Sequence, residues 1–190
     1  MNNIQEILEN IWINEIKELF KEGKIINESQ LQAYLFYFLK HKYEKYQVWL
    51  EPVLYVNNLK LNKTRPDLII TEDDIIIAII ELKFKPWEEP KHENDIAKLN
   101  ELLKLKETNE FIILNWLPCS ENWQIQKNNN TLKYKISENL TCFFMVIGHP
   151  RSIAIKTNII NGINNITHLI GYIEERNELD KIIFKLSKHE

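Results

Sequence analysis

Residues 65–83 read RPDLIITEDDIIIAIIELK. Two apolar runs rich in β-branched residues flank the polar residues 72–74, which predicts a β-hairpin. Two carboxylates and one ammonium group, those of Asp67, Glu81 and Lys83, stand where the otherwise apolar strands end. Charges beside buried strands are costly unless they pair with one another or hold a metal ion. The hairpin therefore anchors the predicted fold and is also the first candidate for a functional site.

Length and composition favour one globular domain. The 190 residues, 44% of them apolar, suffice for one domain with a full core. No apolar run approaches the roughly 18 residues of a membrane span, and the N-terminus lacks the pattern of an export signal. We therefore expect no membrane partner. Cys119 and Cys142 fit neither a disulfide framework nor a zinc site, so we expect reduced thiols in a cytoplasmic protein. The net charge of −3 argues against coating of nucleic acid by bulk charge, but it leaves room for a local basic groove.

Apolar residues at helical spacing predict two helices before the hairpin. The first covers residues 4–20. The second covers residues 27–43, where Asn27 and Gln30 resemble a capping box at the start of the helix. A strand is expected at 48–56, between the second helix and the hairpin.

The segments after the hairpin predict elements of both kinds. A helix at 93–106 and a strand at 111–114 follow the strand 75–83. Such a strand–helix–strand unit makes a right-handed crossover, so we expect the strands at 75–83 and 111–117 to be parallel. The remaining predictions are a hairpin with strands 123–126 and 132–136 joined by 128–130, a strand at 142–147, an ambiguous segment at 151–173 and a helix at 177–188.

The loop of the first hairpin decides whether its charges meet. Strand periodicity puts Glu81 and Lys83 on one face and Leu82 on the other. With the three-residue loop 72–74, Asp67 lies diagonal to Glu81, roughly 7–8 Å away at Cα. A two-residue loop would turn Asp67 to the opposite face. We therefore expect a loop with an odd number of residues.

This group of charges suits hydrolysis of a phosphodiester. Asp67 and Glu81 offer hard oxygen ligands for Mg²⁺, with Mn²⁺ as the expected substitute, and the backbone carbonyl of Leu82 could supply another ligand. The cation would polarise the phosphate and make a bound water more acidic. Lys83 would orient that water and offset charge in the transition state. Adjacent carboxylates without a metal repel each other, so at least one pKa should be raised.

The same residues resemble the motif of the PD-(D/E)XK nuclease superfamily. The motif here consists of Pro66-Asp67, thirteen residues and then Glu81-Leu82-Lys83. The resemblance covers about residues 27–117. It implies an α/β fold with a restriction-endonuclease-like αβββαβ core, a central mixed sheet flanked by helices. We expect a single domain over residues 1–190, in which 118–190 form an extension of β-hairpin, strand and helix.

The resemblance also implies an activity. Members of this superfamily are usually Mg²⁺-dependent nucleases that act on DNA, so it predicts a DNA endonuclease. They often carry a further acid on the helix before the first strand, for which Glu28 is the best match. An acid favoured by the helix dipole is the other interpretation of Glu28.

Two other functions stay open. The chain could be a module that binds nucleic acid or protein and retains a nuclease-like fold without cleaving. It could also be a structure-specific nuclease that cuts DNA junctions as a homodimer. DNA is the expected partner, RNA is not excluded, and the sequence shows no interface from which to deduce an oligomeric state.

Residues around the motif are secondary candidates. Glu51 could face the same cleft or be an ordinary strand-end charge. Lys98 lies on the side of its helix away from Ile96 and Leu99, so we expect it to be solvated. Phosphate or base contacts could come from Lys60, Lys63, Arg65, Lys85, Trp87 and His92.

Overall fold

The structure is a computed structural model that describes residues 3–56, 59–60, 65–87, 93–107, 112–115, 133–149, 166–173 and 182–187. Its helical elements are α1 (Ile4–Asn10), a π-helical segment (Ile11–Ile16), α2 (Lys17–Lys21), α3 (Glu28–Lys42), α4 (Glu93–Lys104) and a 3-10 turn (Leu105–Glu107). Its strands are β1 (Tyr46–Leu50), β2 (Val53–Val56), β3 (Leu59–Lys60), β4 (Leu68–Glu72), β5 (Ile75–Lys85), β6 (Ile112–Asn115), β7 (Lys133–Gly148), β8 (Ile166–Ile173) and β9 (Ile182–Ser187). The α/β class and the helices expected at 4–20, 27–43 and 93–106 are confirmed. Within these ranges, the structure has no helix with the length and apolar character that a membrane crossing requires.

Six strands form one mixed sheet in the order β1-β4-β5-β7-β8-β9. The pairs β5–β7 and β7–β8 are parallel, and the other pairs are antiparallel. The start of β7 also pairs with β6, and β6, β2 and β3 continue as a small antiparallel sheet. The single strand expected at 48–56 is therefore two strands, because the left-handed backbone of Glu51 (φ 41°) and the following Pro52 direct β1 and β2 into different sheets.

Helices cover both faces of the mixed sheet. One face packs against α1, α2 and α3, and the other packs against α4. Along β5, Ile80 and Leu82 face the first layer and Ile79 faces the second. Because side chains alternate along a strand, Glu81 and Lys83 belong to the face that α4 covers.

The hairpin of β4 and β5 differs from the predicted one in two ways. The predicted loop 72–74 is wrong, because residues 73–74 alone form the turn. Asp73 has the left-handed backbone, at φ 52°, that such short turns require. Ile77 is skipped in the pairing with β4, and this bulge shifts the register by one residue. The bulge offsets the even-numbered loop, so Asp67 stays on the face predicted for it.

The parallel neighbour of β5 is β7, and the prediction that residues 111–117 would take this position is wrong. β6 is a four-residue strand that pairs antiparallel with β2 and with the start of β7. Every residue of β7 from Cys142 to Gly148 is buried. A parallel strand in the middle of a sheet is covered on both faces, and this continuous buried run meets that requirement. The strand expected at 142–147 is thus the second half of a longer strand, whose start includes residues 133–136.

The tail contains a strand where the sequence predicted a helix at 177–188. β9 pairs antiparallel with β8, which lies within the segment left ambiguous. Ile182 and Phe184 are both buried, as expected for alternate residues of a strand. The Phe184 ring lies against Gly171, where a Cβ would come within 2.7 Å of it, and against Trp12, at 5.0 Å between ring centroids. The helix was predicted because Glu178 and Asp180 come early and Lys185 and Lys188 late in 177–188, as the helix dipole favours. Sheet pairing and these contacts outweigh that charge pattern.

Some expectations concern residues outside the described ranges. These are the strand at 123–126, the turn at 128–130, Cys119, Lys63, His92, and the parts of the two last segments at 151–165 and 177–181.

Candidate active site at the end of strand β5

The charged end of β5 extends beyond its neighbour β4. In the hairpin β4 begins only at Leu68, so the last backbone groups of β5 lack a strand partner on that side within the described residues. Two carboxylates take its place. The N–H of Leu82 donates to Asp67 Oδ2 at 2.6 Å, and the N–H of Phe84 donates to Glu28 Oε2 at 3.2 Å. The structure therefore brings Glu28 and Asp67 to the same open edge.

The start of α3 explains the position of Glu28. Asn27 Oδ1 accepts from the N–H of Gln30 at 2.9 Å, and Gln30 Oε1 accepts from the N–H of Ile26 at 2.8 Å. The first bond is that of the predicted capping box, whereas the second reaches the residue before the N-cap instead of Asn27 itself. They fix the first residue of the helix, which is Glu28.

Asp67 is held through its backbone as well as its side chain. Its carbonyl oxygen accepts from Gln32 Nε2 at 3.0 Å and from the N–H of Glu51 at 2.8 Å. Burial raises the pKa of Asp67 to about 6, against the lowering effect of the hydrogen bond from Leu82 and with a further increase from the charge of Glu28. The carboxyl is thus fixed in place but poorly solvated.

Glu81 is the most buried charged group of the site. It is 2% exposed. The register that pairs Leu68 with Ile80, continued by one residue beyond β4, brings Asp67 level with Glu81, where a diagonal position was predicted. Its Oε2 accepts from Lys98 Nζ at 2.9 Å, while its buried Oε1 has no hydrogen-bond partner among the described residues. Burial, followed by the charge of Asp67, raises the pKa of Glu81 to about 8, although Lys98 acts in the opposite direction. The expected rise of at least one pKa is confirmed, with burial as its larger cause.

Lys83 points toward α4. Its Nζ lies 3.0 Å from Asp95 Oδ2. Burial lowers the pKa of Lys83, but the hydrogen bond and charge of Asp95 and the charges of Glu28 and Asp67 outweigh that effect, so the pKa is raised. The ammonium group therefore stays charged beside the acids.

Sequence reasoning missed the contribution of α4. Lys98, which was expected to be solvated, is 21% exposed and donates to Glu81 and to the Arg65 carbonyl, the latter at 3.2 Å. Asp95 was not considered at all. Both residues flank the buried stripe of α4, and the long lysine side chain reaches over the edge of the helix to the sheet. One feature of the sequence could have indicated this contribution: Asp95 and Lys98 carry opposite charges three positions apart, beside the buried stripe.

The arrangement fits a divalent cation in three respects. The four acids Glu28, Asp67, Glu81 and Asp95 face the two amines Lys83 and Lys98, which leaves two formal negative charges when all six are ionised. The unpartnered Oε1 of Glu81 is an available buried ligand. The N–H and C=O of one strand residue point to the same side, so the Leu82 carbonyl shares the open edge with Asp67. In the part of the chain that the structure describes, no three His, Cys, Asp or Glu side chains converge as a metal cluster, so any cation would need backbone or water oxygens too.

The secondary candidates lie around this site or outside it. Arg65 pairs with Glu51 at the rim, with 2.9 Å between Nη2 and Oε2, and its Nε donates to the Glu51 carbonyl at 2.8 Å. Glu51 is thereby engaged with Arg65. Lys85 and Trp87 are exposed at and beyond the end of β5.

No family model, no curated protein and no solved structure matches this chain. The function is therefore inferred from the residues and their geometry.

Proposed function

We propose that this chain is a Mg²⁺-dependent nuclease of the PD-(D/E)XK type, most simply a DNA endonuclease. The observation that carries the proposal is the pair of opposed, poorly solvated carboxyl groups of Asp67 and Glu81, one of which has a buried oxygen without a partner. Neighbouring buried acids that repel each other, one of them with an unpartnered carboxylate oxygen, favour a site that a cation completes.

The roles of the residues follow from their positions. Asp67, Glu81 and the Leu82 carbonyl would hold the metal, which supplies Lewis-acid activation of the phosphodiester and of a water. Lys83, the last residue of the motif, would orient the attacking water and offset negative charge on the phosphate. Glu28 acts beside Asp67 and adds negative charge to the metal site.

The order of elements supports the same proposal. The succession α3, β1, β4, β5, α4 and β7 supplies an αβββαβ arrangement in which β7 is the parallel neighbour of β5. If the elements correspond in this way, β2, β3 and β6 are additions to the nuclease-like core, and that core extends to about residue 148.

One observation favours a second function. Both amines are paired with acids, Lys83 with Asp95 and Lys98 with Glu81, so the site is partly neutralised without a metal. A module that binds nucleic acid or protein through a nuclease-like fold would have the same contacts. The metal therefore has to be tested directly.

The test combines metal binding with cleavage. Mg²⁺ and Mn²⁺ should raise the melting temperature by linkage, and the protein should cut DNA only with metal. Asp67→Asn should reduce cleavage at least about 10³-fold, since several kcal/mol of metal-dependent stabilisation are lost. Asp73→Asn is the matched control, because Asp73 lies in the exposed turn of the same hairpin and Asn tolerates its left-handed backbone.

The substrates separate the alternatives. Comparison of duplex, single-stranded and branched DNA, with RNA as a further substrate, distinguishes a duplex endonuclease from a junction-specific one. DNA binding without cleavage in either metal would support the binding module. Cleavage by Asp67→Asn at the wild-type rate would remove Asp67 from the site.

A further inference from the structure

α4 presents two charged residues to the motif, and the proposed function does not yet use them. Asp95 and Lys98 are three residues apart and so lie on one side of the helix. Lys98 Nζ lies 2.9 Å from Glu81 Oε2, and Asp95 Oδ2 lies 3.0 Å from Lys83 Nζ. Each charged residue of the β5 motif thus has a partner of opposite charge on α4. A distance of 3.9 Å between Asp95 Oδ1 and Lys98 Nζ links the two pairs.

We propose that Asp95 and Lys98 are positioning residues of this site. Lys98 holds Glu81 through Oε2 and leaves Oε1 available for the cation, while Asp95 holds the ammonium group of Lys83 beside the acids. The inference rests on the proposed nuclease function and adds α4 to the machinery of that site.

Burial separates these pairs from ordinary surface ion pairs. The four side chains are between 2% and 23% exposed. In five other ion pairs, Lys21–Glu18, Lys24–Glu22, Lys42–Glu15, Lys45–Glu72 and Arg65–Glu51, both partners are between 31% and 58% exposed. Exposed pairs contribute little to stability, whereas partly buried charges must be held by good geometry. The partial burial of these four charged groups between β5 and α4 therefore favours a role in positioning the site.

The contacts of Lys98 explain how it acts. Its ammonium group is fixed by acceptors from two elements, Glu81 on β5 and the Arg65 carbonyl before β4. It is the only hydrogen-bond donor to the Glu81 side chain among the described residues. Without it, the Glu81 carboxyl has no partner to fix its rotamer. Groups that orient a metal ligand typically cost 10–100-fold in metal affinity or activity when they are removed.

The two residues should affect different quantities. Lys98→Met should lower the affinity for Mn²⁺ about 10–100-fold, because it acts on a ligand. Asp95→Asn should lower cleavage at saturating metal by about 10–100-fold and affect Mn²⁺ binding less, because it acts on Lys83. Lys104→Met and Glu101→Gln are matched controls, because both residues are exposed on the same helix.

Mn²⁺ affinity is measured by titration calorimetry without DNA, and cleavage is measured in single turnovers. Thermal melting without metal establishes that each variant is folded. If Lys98→Met is not folded, Lys98→Gln takes its place, and the same loss of Mn²⁺ affinity is expected. Unchanged or tighter Mn²⁺ binding by the neutral variants would overturn the role of Lys98 and identify it as a competitor of the metal. Wild-type cleavage by Asp95→Asn would overturn the role of Asp95. If the wild-type protein binds no Mn²⁺, both the proposed nuclease function and this inference are wrong. If the wild type binds Mn²⁺ and cleaves DNA, and the variants do so equally well, this inference alone is wrong.

Discussion

The two faces of the mixed sheet are built from the same strands but differ in what they bury. The face under α1, α2 and α3 is packed with apolar side chains, including the fully buried Leu8 and Leu35. The face under α4 is mainly apolar but also buries the polar Thr71 and His168. At the end of β5 on this face, Glu81 and Lys83 meet Asp95 and Lys98. Alternation along β5 thus assigns one face to stability and lets the other carry charge. A strand buried on both sides can therefore support a polar site where its neighbour ends.

Truncation of buried leucines tests this difference with the largest expected effect. Leu8→Ala and Leu99→Ala each remove a side chain with 0% exposure, one from each face. Both should lower the free energy of unfolding by about 2–5 kcal/mol in denaturant titrations. Leu99 adjoins Lys98, so only its substitution should also weaken Mn²⁺ binding. Equal loss of Mn²⁺ affinity in both variants would show that the faces are not separable.

Removal of the motif amine should have the next largest effect. Lys83→Met should lower the single-turnover cleavage rate about 10²–10³-fold, as removal of one transition-state donor does. The rise in melting temperature with Mg²⁺ should remain, because Lys83 is not a ligand in the proposed site. Lys104→Met provides the comparison, since Lys104 is exposed on α4 and has no proposed contact with the substrate. Loss of the Mg²⁺ effect in Lys83→Met would assign Lys83 to metal binding.

The hairpin shows how far local sequence patterns extend. Its strands and charged ends are predictable because β-branched runs and turn residues are local signals. Its register is not, since the short turn and the bulge at Ile77 are two changes that offset each other. Either combination of loop and register brings Asp67 close to Glu81, so the proximity of these two acids was predicted from a wrong loop.

The errors elsewhere concern pairings between distant segments. The charges of the tail 177–188 are ordered as in a helix, but its described part, 182–187, joins β8 and packs on Trp12 from the other end of the chain. The choice of β7 over β6 as the neighbour of β5 likewise depends on which segment can be buried on both faces. The role of Lys98 depends on how α4 is rotated over the sheet. Periodicity identifies a buried stripe but does not reveal what a long side chain beside it can reach.

The pH dependence of stability tests the buried acid. Burial raises the pKa of Glu81 from its ordinary value of 4.5 to about 8 in the folded state. Its protonated form favours folding, so this contribution is complete below pH 4.5 and is lost as the pH rises to about 8. Metal-free Glu81→Gln should therefore match the wild type at about pH 5 and be more stable at pH 8 by roughly 2–3 kcal/mol. Denaturant titrations at both pH values measure the difference. A difference that does not change with pH would mean that Glu81 titrates normally.

The smallest effect is expected at the support of Asp67. Gln32→Ala removes the side chain that donates to the Asp67 carbonyl at 3.0 Å. One lost hydrogen bond should cost about 1 kcal/mol of stability, and the freer backbone of Asp67 should slow cleavage by roughly fivefold. Gln5→Ala is the matched control, because the Gln5 side chain donates to Glu9 at 2.8 Å within α1, away from the site. A similar loss of stability without slower cleavage is expected for the control. If the two variants cleave equally fast, the contact between Gln32 and the Asp67 carbonyl stabilises the fold but does not position the metal ligand. In that case, the side chain of Asp67 belongs to the site, whereas its backbone belongs to the part of the protein that provides stability.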